Sequence, residues 1–579
     1  MSIIAVNQTG YLKGNKKQAT YVDETKSGEG LSFNLVSNDG SVVYEGTTKV
    51  IGDDKDSGDY VHQVDFSEYD TDGTYKLVIG SDESYSFAIG DKSIYKTLVR
   101  DVSNYFYQNR CSEDILEERI TSGDKSKLKR AAGHKPDIAN TIAVWNYNGI
   151  METKDVSGGW YDAGDHGKYT VNSSFSLWFM FNAFELEKAM FKKTGVKGII
   201  LDNCEMFYEE CKYELDHLSK MLVSEGAHKD MAYSKVHDKH WTPIGTAPSE
   251  DEEERILLPP TTASTLDLSA CFAMGARVFA EEDAEYSDFL LDISKRAYEA
   301  AKKFPNMLAP VDSRLGGGSY DDDDVRDEKY WAATELYITT GEEYYLKDME
   351  KNDYFLDIPF RFINSESPEV CGCFDWGNVA ANGSLSLVLS DRLDDDRYST
   401  LKYNVIMAAS KLYDLSRKQG YGQPFGPEFL NGIKGPGYAW GSNSYGCENS
   451  TVLLYAYYIT KDKQYLNAAI LGLNYLLGCN PLNVSYITGY GSNAVKYPHH
   501  RFWSGQIRDD RPLAPAGVMV GGPNSGMQCD YVKSLGWDGK TMPPAKMYVD
   551  HINAFSTNEC TINWNGAFLN MILGIMSLV

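Results

Sequence analysis

From Ile3 to about Gly90, apolar and polar positions alternate with a period of two in QATYV, LSFNLVS, VVYEG, YVHQVDF, YKLVIG and YSFAIG, cut by Asn38-Asp39-Gly40 and Asp72-Gly73. Such alternation with Asp-Gly punctuation predicts an all-β sandwich of about seven strands. From Ile94 the spacing changes to three and four, first in IYKTLVRDVSNYFYQNR, and stays helical, with long interrupting loops, to Val579. The boundary falls near residues 90 to 94, which divides the chain into 1–92 and 93–579. Within the second part an aromatic residue, a short polar turn and a Tyr seven positions on recur at Phe279 to Tyr286, Tyr337 to Tyr344 and Tyr458 to Tyr465. Each marks two helices joined by a tight turn, and about twelve helices are expected in all. Hairpins with one apolar face bury it by stacking side by side. A ring of about six pairs closes without an unprotected end, whereas an open solenoid leaves two.

The 579 residues are 42% apolar and 24% charged, the usage of a folded globular protein. The 56 Lys and Arg against 82 Asp and Glu leave a formal charge of −26, a field that repels nucleic acid and anionic membranes. A neutral ligand held by stacking and hydrogen bonds suits this composition. The 40 Tyr, 23 Phe and 10 Trp supply amphipathic rings, most of which a core of this size would absorb, and sugars fit the remainder. No apolar stretch reaches membrane-spanning length, and the opening MSIIAVNQTGYLKGNKK lacks the parts of an export signal. The ten cysteines show no framework spacing. A reducing, cytoplasmic setting is the expectation for the sequence as written, and an extracellular one if a signal has been trimmed from it.

Three loops carry candidate chemistry. SGGWYDAGDHGKYT, Ser157 to Thr170, places Asp162 and Asp165 three apart between glycines, so that both carboxylates can face one point and activate water. A calcium loop or a helix N-cap accounts for this segment equally well. In YVDHINAFSTNECTINWNG, Tyr548 to Gly566, Glu559 is interleaved with Phe555, Ile562 and Trp564, an apolar setting that favours the protonated form a general acid needs. A first-turn glutamate serving its helix dipole is the plainer alternative. SYITGYGSNAVKYPHHR, Ser485 to Arg501, ends in His499, His500 and Arg501; adjacent His side chains diverge, so sugar hydroxyls suit them better than a shared metal.

Taken together, these loops resemble glycoside hydrolase family 9, the cellulase family in which members with an N-terminal immunoglobulin-like domain carry an (α/α)6 barrel behind it. The resemblance covers essentially the whole chain. It extends to RILLPPTTAST at Arg255 to Thr265, GYAWGSNS at Gly437 to Ser444 and LLGCNP at Leu476 to Pro481, and departs at Gly566, where Ala or Ser is usual. It implies a mainly α fold behind a small β-sandwich, and an inverting cellulase of endoglucanase type acting on β-1,4-linked glucan. Asp165 would then deprotonate water, Asp162 orient that water and Glu559 protonate the leaving oxygen. His499 and Arg501 would bind sugar and Asp550 position the acid loop, with Trp160, Trp376, Trp440 and Tyr548 on the substrate side. An exo-acting cellodextrinase or exo-β-glucosaminidase of the same family, and a dead carbohydrate-binding protein, are the alternatives. No organic cofactor is implied, and a monomer without nucleic-acid or membrane partners is expected.

Related members hold zinc through two Cys and two His. Here Cys111 and His134 match, but Gly133 and Tyr161 stand at the other two places, so no zinc is expected there. GGGSYDDDDVRDEKYWAA resembles the family's calcium segment, with Asp321, Asp323, Asp327 and Glu328 as donors, although a charge run is also what a solvated face looks like.

Overall fold

The computed structural model describes residues 3–141, 152–309, 315–363, 370–426, 438–538 and 541–579. Ten strands stand where about seven were expected: β1 (Ile3–Ala5), β2 (Gly10–Leu12), β3 (Gln18–Val22), β4 (Ser32–Ser37), β5 (Val42–Thr47), β6 (Lys49–Asp54), β7 (Asp59–Asp65), β8 (Gly73–Ile79), β9 (Asp82–Glu83) and β10 (Phe87–Gly90). The additional ones are either two or three residues long, too short to display alternation, or, like β6, carry Gly and paired Asp in place of β-branched residues. One sheet runs β1-β3-β7-β6 and the other β2-β10-β8-β4-β5, with β9 on β8. Ile4, Phe33, Leu35, Val64 and Leu77 fill the space between them.

The last of these strands ends at Gly90 and the first long helix begins at Lys96. Among the described residues there are twelve helices of eight residues or more: α1 (Lys96–Gln108), α2 (Thr170–Thr194), α3 (Cys204–Lys220), α4 (Thr262–Phe279), α5 (Ala284–Lys303), α6 (Arg326–Thr340), α7 (Glu343–Glu350), α8 (Ala380–Leu389), α9 (Asp395–Lys418), α10 (Ser442–Thr460), α11 (Lys463–Leu476) and α12 (Ile562–Leu578). The even-numbered helices touch in the order α2-α4-α6-α8-α10-α12, and α12 returns to α2, so the ring is closed and the solenoid is excluded. The odd-numbered helices flank them outside. The three aromatic-to-Tyr repeats fall on the turns α4–α5, α6–α7 and α10–α11.

Sequence explains which helix lies where. In α12 every residue but Ser577 is buried, as in a helix apolar on all sides, whereas α5 buries one stripe, Tyr286, Leu290, Ile293, Ala297 and Ala301. Removing Phe568 and Ile572 from water contributes ~1.5–3 kcal/mol each.

The starts of the inner helices share one rim of the barrel, joined by backbone hydrogen bonds. Thr170 N donates to Ser234 O (3.0 Å), Asn443 N to Gly521 O (3.0 Å), Gly521 N to Glu559 O (2.8 Å) and Ile562 N to Asp162 O (2.8 Å). A small sheet, unexpected from sequence because its strands are two to four residues long, braces that rim: β11 (Ile138–Thr141), β12 (Thr153–Asp155), β13 (Lys168–Tyr169), β14 (Lys235–Asp238) and β15 (Arg255–Leu257), in the order β12-β11-β15-β14-β13. The β-sandwich packs against the barrel through Gln8, whose Nε2 donates to Asn483 O (3.0 Å), and through Asp59, which accepts from Lys546 Nζ (2.6 Å) and Tyr421 OH (2.8 Å). No described helix is long and apolar enough to cross a membrane.

Candidate active site

Asp165 lies five residues before α2 and Glu559 three before α12, so two neighbouring inner helices present the two carboxylates at the same rim. The helix starts are set locally: Thr561 caps α12 by accepting from Trp564 N (3.3 Å). The loops are then tied to one another. Besides the link from Ile562 N to Asp162 O, Arg501 N donates to Gly164 O (2.9 Å) and His499 N to Asn558 O (2.8 Å), with a β-bridge between His499 and Glu559. Gly164 is required by this approach, because a Cβ there would lie 2.3 Å from the His499 carbonyl oxygen. The three segments singled out from sequence therefore meet.

Asp162 is 2% exposed. Its Oδ1 accepts from Asn172 Nδ2 (2.6 Å) and its Oδ2 from Tyr320 OH (2.9 Å). Burial, reinforced by the nearby Asp165 charge and opposed by those two donors, raises its pKa to about 7. Asp165 accepts from Gly167 N (3.0 Å) and Tyr169 OH (3.2 Å) through Oδ2. Tyr169 in turn accepts from Gly318 N (2.7 Å), and its ring packs edge-on against Tyr320. The Tyr105 and Tyr320 phenols are held well above their ordinary range by burial first and then by charges that include both Asp162 and Glu559, so both carboxylates lie near these two rings.

His499 Nδ1 meets the Ile552 carbonyl at 2.5 Å, which makes Nδ1 the donor and leaves Nε2 an acceptor. Burial, with the Arg501 charge, lowers the His499 pKa to about 4, so the ring is neutral near pH 7. Arg501 is anchored through Nε to Thr242 Oγ1 (2.9 Å) and Thr242 O (3.1 Å), beneath the exposed indole of Trp241 at 5.5 Å. Asp550 accepts from Lys496 N (2.8 Å), Tyr497 N (2.9 Å) and Asn558 Nδ2 (3.1 Å), which pins the histidine loop to the acid loop.

Some expectations are corrected. Trp160 is no sugar platform: it is 0% exposed, donates from Nε1 to Glu210 Oε1 (2.8 Å) and packs on Phe106. Tyr548 is buried and donates to Asn558 Oδ1 (2.5 Å), so it supports the acid loop from behind. Trp376 is mostly covered and stands edge-on to Tyr320. Trp440, half-buried beside Phe555, keeps its place at the start of α10, while Gly437 of the same segment lies outside the described residues. Trp241, Tyr320, Tyr169 and Asn172 were missed. Tyr169, four residues after Asp165, was open to notice, but nothing in the sequence brings Tyr320 to Asp162 across 158 positions.

The acidic segment before α6 is likewise redistributed. Asp321 and Asp323 are exposed, the former accepting from Ser319 Oγ, whereas Asp327 and Glu328 are buried and share their surroundings with Asp322 and with Asp267 of α4. Burial and mutual repulsion raise Asp322 to about 7 and Asp327 to about 6, and Asp267 and Glu328 well above the usual carboxyl range. Both Asp267 oxygens lack a hydrogen-bond partner among the described residues. An oxygen-rich pocket of unbalanced negative charge fits calcium. The Cys2His2 zinc arrangement does not fit: Cys111 Sγ lies 3.9 Å from Gly133 O and from Asp137 Oδ2, and at the place of the second His stands Tyr161, whose hydroxyl pairs with His134 Nδ1 (2.7 Å).

Comparison with known proteins gives the same picture. Residues 1–84 match the cellulase N-terminal Ig-like domain, and residues 95–572 match glycosyl hydrolase family 9. The chain is 36% identical to a cellulose 1,4-beta-cellobiosidase of Acetivibrio thermocellus over 98% of its own length and 66% of that protein's, so it spans just under two thirds of this relative. It is 31% identical to a cellodextrinase of Butyrivibrio fibrisolvens over 100% of both chains. The crystal structure of a single mutant of the thermostable endoglucanase from Alicyclobacillus acidocaldarius superposes with a TM-score of 0.82 at 25% identity, covering 99% of each chain. With an N-terminal immunoglobulin-like sandwich, a closed ring of paired helices and two carboxylate-bearing loops joined on one rim, the chain belongs to glycosyl hydrolase family 9.

Proposed function

We propose that this protein hydrolyses β-1,4-glucosidic bonds of cellulose-type glucans or cellodextrins by single displacement with inversion. The observation that carries the reading is the direct joining of the base loop to the acid loop through Asp162, Gly164, His499, Arg501 and Glu559. Asp165 takes the proton from water as it attacks the anomeric carbon. Asp162, fixed by Asn172 and Tyr320, holds that water. Glu559 hands its proton to the departing glycosidic oxygen. Inversion needs the two reacting carboxyl groups ~6.5–9.5 Å apart. Neutral His499 accepts from a sugar hydroxyl, Arg501 donates to another, and Trp241 and Trp440 offer faces for neighbouring rings. Calcium, when bound, would be held by Asp267, Asp322, Asp327 and Glu328 and would steady the start of α6.

NMR on fresh cleavage of cellohexaose tests the mechanism: the α-anomer is expected first, and a β-anomer would overturn the assignment of Asp165 as base. A second reading, trimming of short cellodextrins, is favoured by the end-to-end match with the Butyrivibrio cellodextrinase. Release of products from one end of cellohexaose, with poor action on swollen cellulose and on chitosan oligomers, would select it.

A further inference from the structure

Behind the base loop lies a polar cluster that the proposed reaction does not use. His134 and His166 are 5% and 2% exposed at their side chains and Asp251 is 0%. One donor atom from each lies within 4.8 Å of the other two. His166 Nδ1 meets Asp251 Oδ2 at 2.5 Å, while His134 Nε2 stands 3.7 Å from Asp251 Oδ2 and 4.0 Å from Asp238 Oδ1. Among the described residues, His134 Nε2 has no hydrogen-bond partner although it is buried. A neutral imidazole whose buried nitrogen points between two carboxylates without bonding to either is an unfinished arrangement.

Carboxylates and cations are packed together around it. Asp137, Asp238 and Asp251 are buried at their side chains, against Arg255 and Lys168 as the adjoining cations. Arg255 Nε donates to Asp137 Oδ1 (2.9 Å), Arg255 Nη1 to Asp238 Oδ1 (2.7 Å), and Lys168 Nζ lies 2.8 Å from Asp137 Oδ2.

We infer that His134, His166 and Asp251 form a binding site for a divalent transition ion of the zinc class. Two imidazoles and one carboxylate suit that ion, with water as its fourth donor. The surroundings match such a site: Tyr161 OH at 2.7 Å fixes the His134 ring through Nδ1, and Arg255 orients Asp238. Ligation through His166 Nδ1 requires that ring to carry its proton on Nε2, where no partner among the described residues competes. Of the residues at the Cys2His2 positions only His134 takes part, so the site is a different one. Its role is mechanical: His166 follows Asp165 directly, and an ion there fastens the base loop to the segment that ends at Asp251.

The test uses the whole chain, stripped with chelator and titrated with zinc chloride. One zinc per chain is expected, with an X-ray absorption shell of nitrogen and oxygen at ~2.0–2.1 Å and no sulfur shell near ~2.3 Å. His134→Ala and Asp251→Asn are each expected to weaken retention by about 100-fold, while Cys111→Ser leaves it unchanged. Folding of each variant is checked by circular dichroism, and if His134→Ala does not fold, Asp251→Asn and the wild type decide. Folded wild-type protein that retains no zinc, zinc bound through sulfur, or binding indifferent to both ligand substitutions overturns the inference.

Discussion

At the scale of single residues, the site depends on how burial sets proton affinity. Glu559→Gln is expected to lower kcat by about 10²–10⁴-fold with KM nearly unchanged, because the amide keeps the contacts and lacks the proton; initial-rate kinetics on cellopentaose check it. Asp162 makes an opposite demand on the fold. Its pKa of about 7, against an ordinary value of 3.8, means that the folded state holds a proton which the unfolded chain releases between those pH values. The neutral form's contribution to stability is complete below pH 3.8 and lost as pH rises through 7. Asp162→Asn is therefore expected to gain stability over the parent as pH rises, its advantage being larger at pH 8 than at pH 5 by about 1–3 kcal/mol, while losing activity at both. Urea unfolding at the two pH values decides it; an advantage no larger at pH 8 than at pH 5 would contradict the assigned burial cost. The loops of Asp162, Asp165 and Glu559 could be singled out in sequence because each is a short stretch of special composition, and the structure joins them. Trp160 was misread for a physical reason: a tryptophan in a Gly-rich loop looks exposed until its indole N–H is seen on a buried glutamate.

Among elements, the loops matter more than the helices they precede. Asp550 gathers two backbone N–H groups and the Asn558 amide. Asp550→Ala leaves those donors, one exposed and two part-buried, without this acceptor and loosens the histidine loop from the Glu559 loop. A fall in kcat of about 10–100-fold is expected, with Asp550→Asn intermediate, at unchanged far-ultraviolet circular dichroism. Wild-type turnover in Asp550→Ala would show that the loops are held by other means. Strong periodicity made the twelve helices readable beforehand, whereas β11 to β15 were not, since strands of two to four residues leave no period to detect. The buried acidic set was half readable: Asp327 and Glu328 lie in one run with Asp322, but Asp267 arrives from another helix, and Asp321 and Asp323 turn outward.

Across the whole molecule, two folding units share a polar seam. Asp59 bonds both Lys546 and Tyr421 across it, and Gln8 reaches the loop at Asn483. Calorimetry is expected to show one cooperative transition, and Asp59→Ala to lower its midpoint by a few degrees while keeping it single; two resolved transitions would mean the sandwich is merely tethered. Chelation with EGTA is expected to lower the same midpoint, with recovery on adding calcium, and Asp327→Asn to abolish the response. Absence of any shift would remove calcium from this account.

Ring closure, the one global property on which the catalytic pairing depends, followed from local repeats, because hairpins that each bury one face leave few ways to end. The hydrogen bonds from Ile562 N to Asp162 O and from Arg501 N to Gly164 O belong to the folded backbone and owe nothing to what occupies the groove. The gap between the Asp165 loop and the Glu559 loop is thus fixed when the chain folds. Whichever glycan is admitted, the stereochemistry of the freed reducing end should be the same, so that specificity can drift through side chains such as Trp241 while the handedness of the product stays constant.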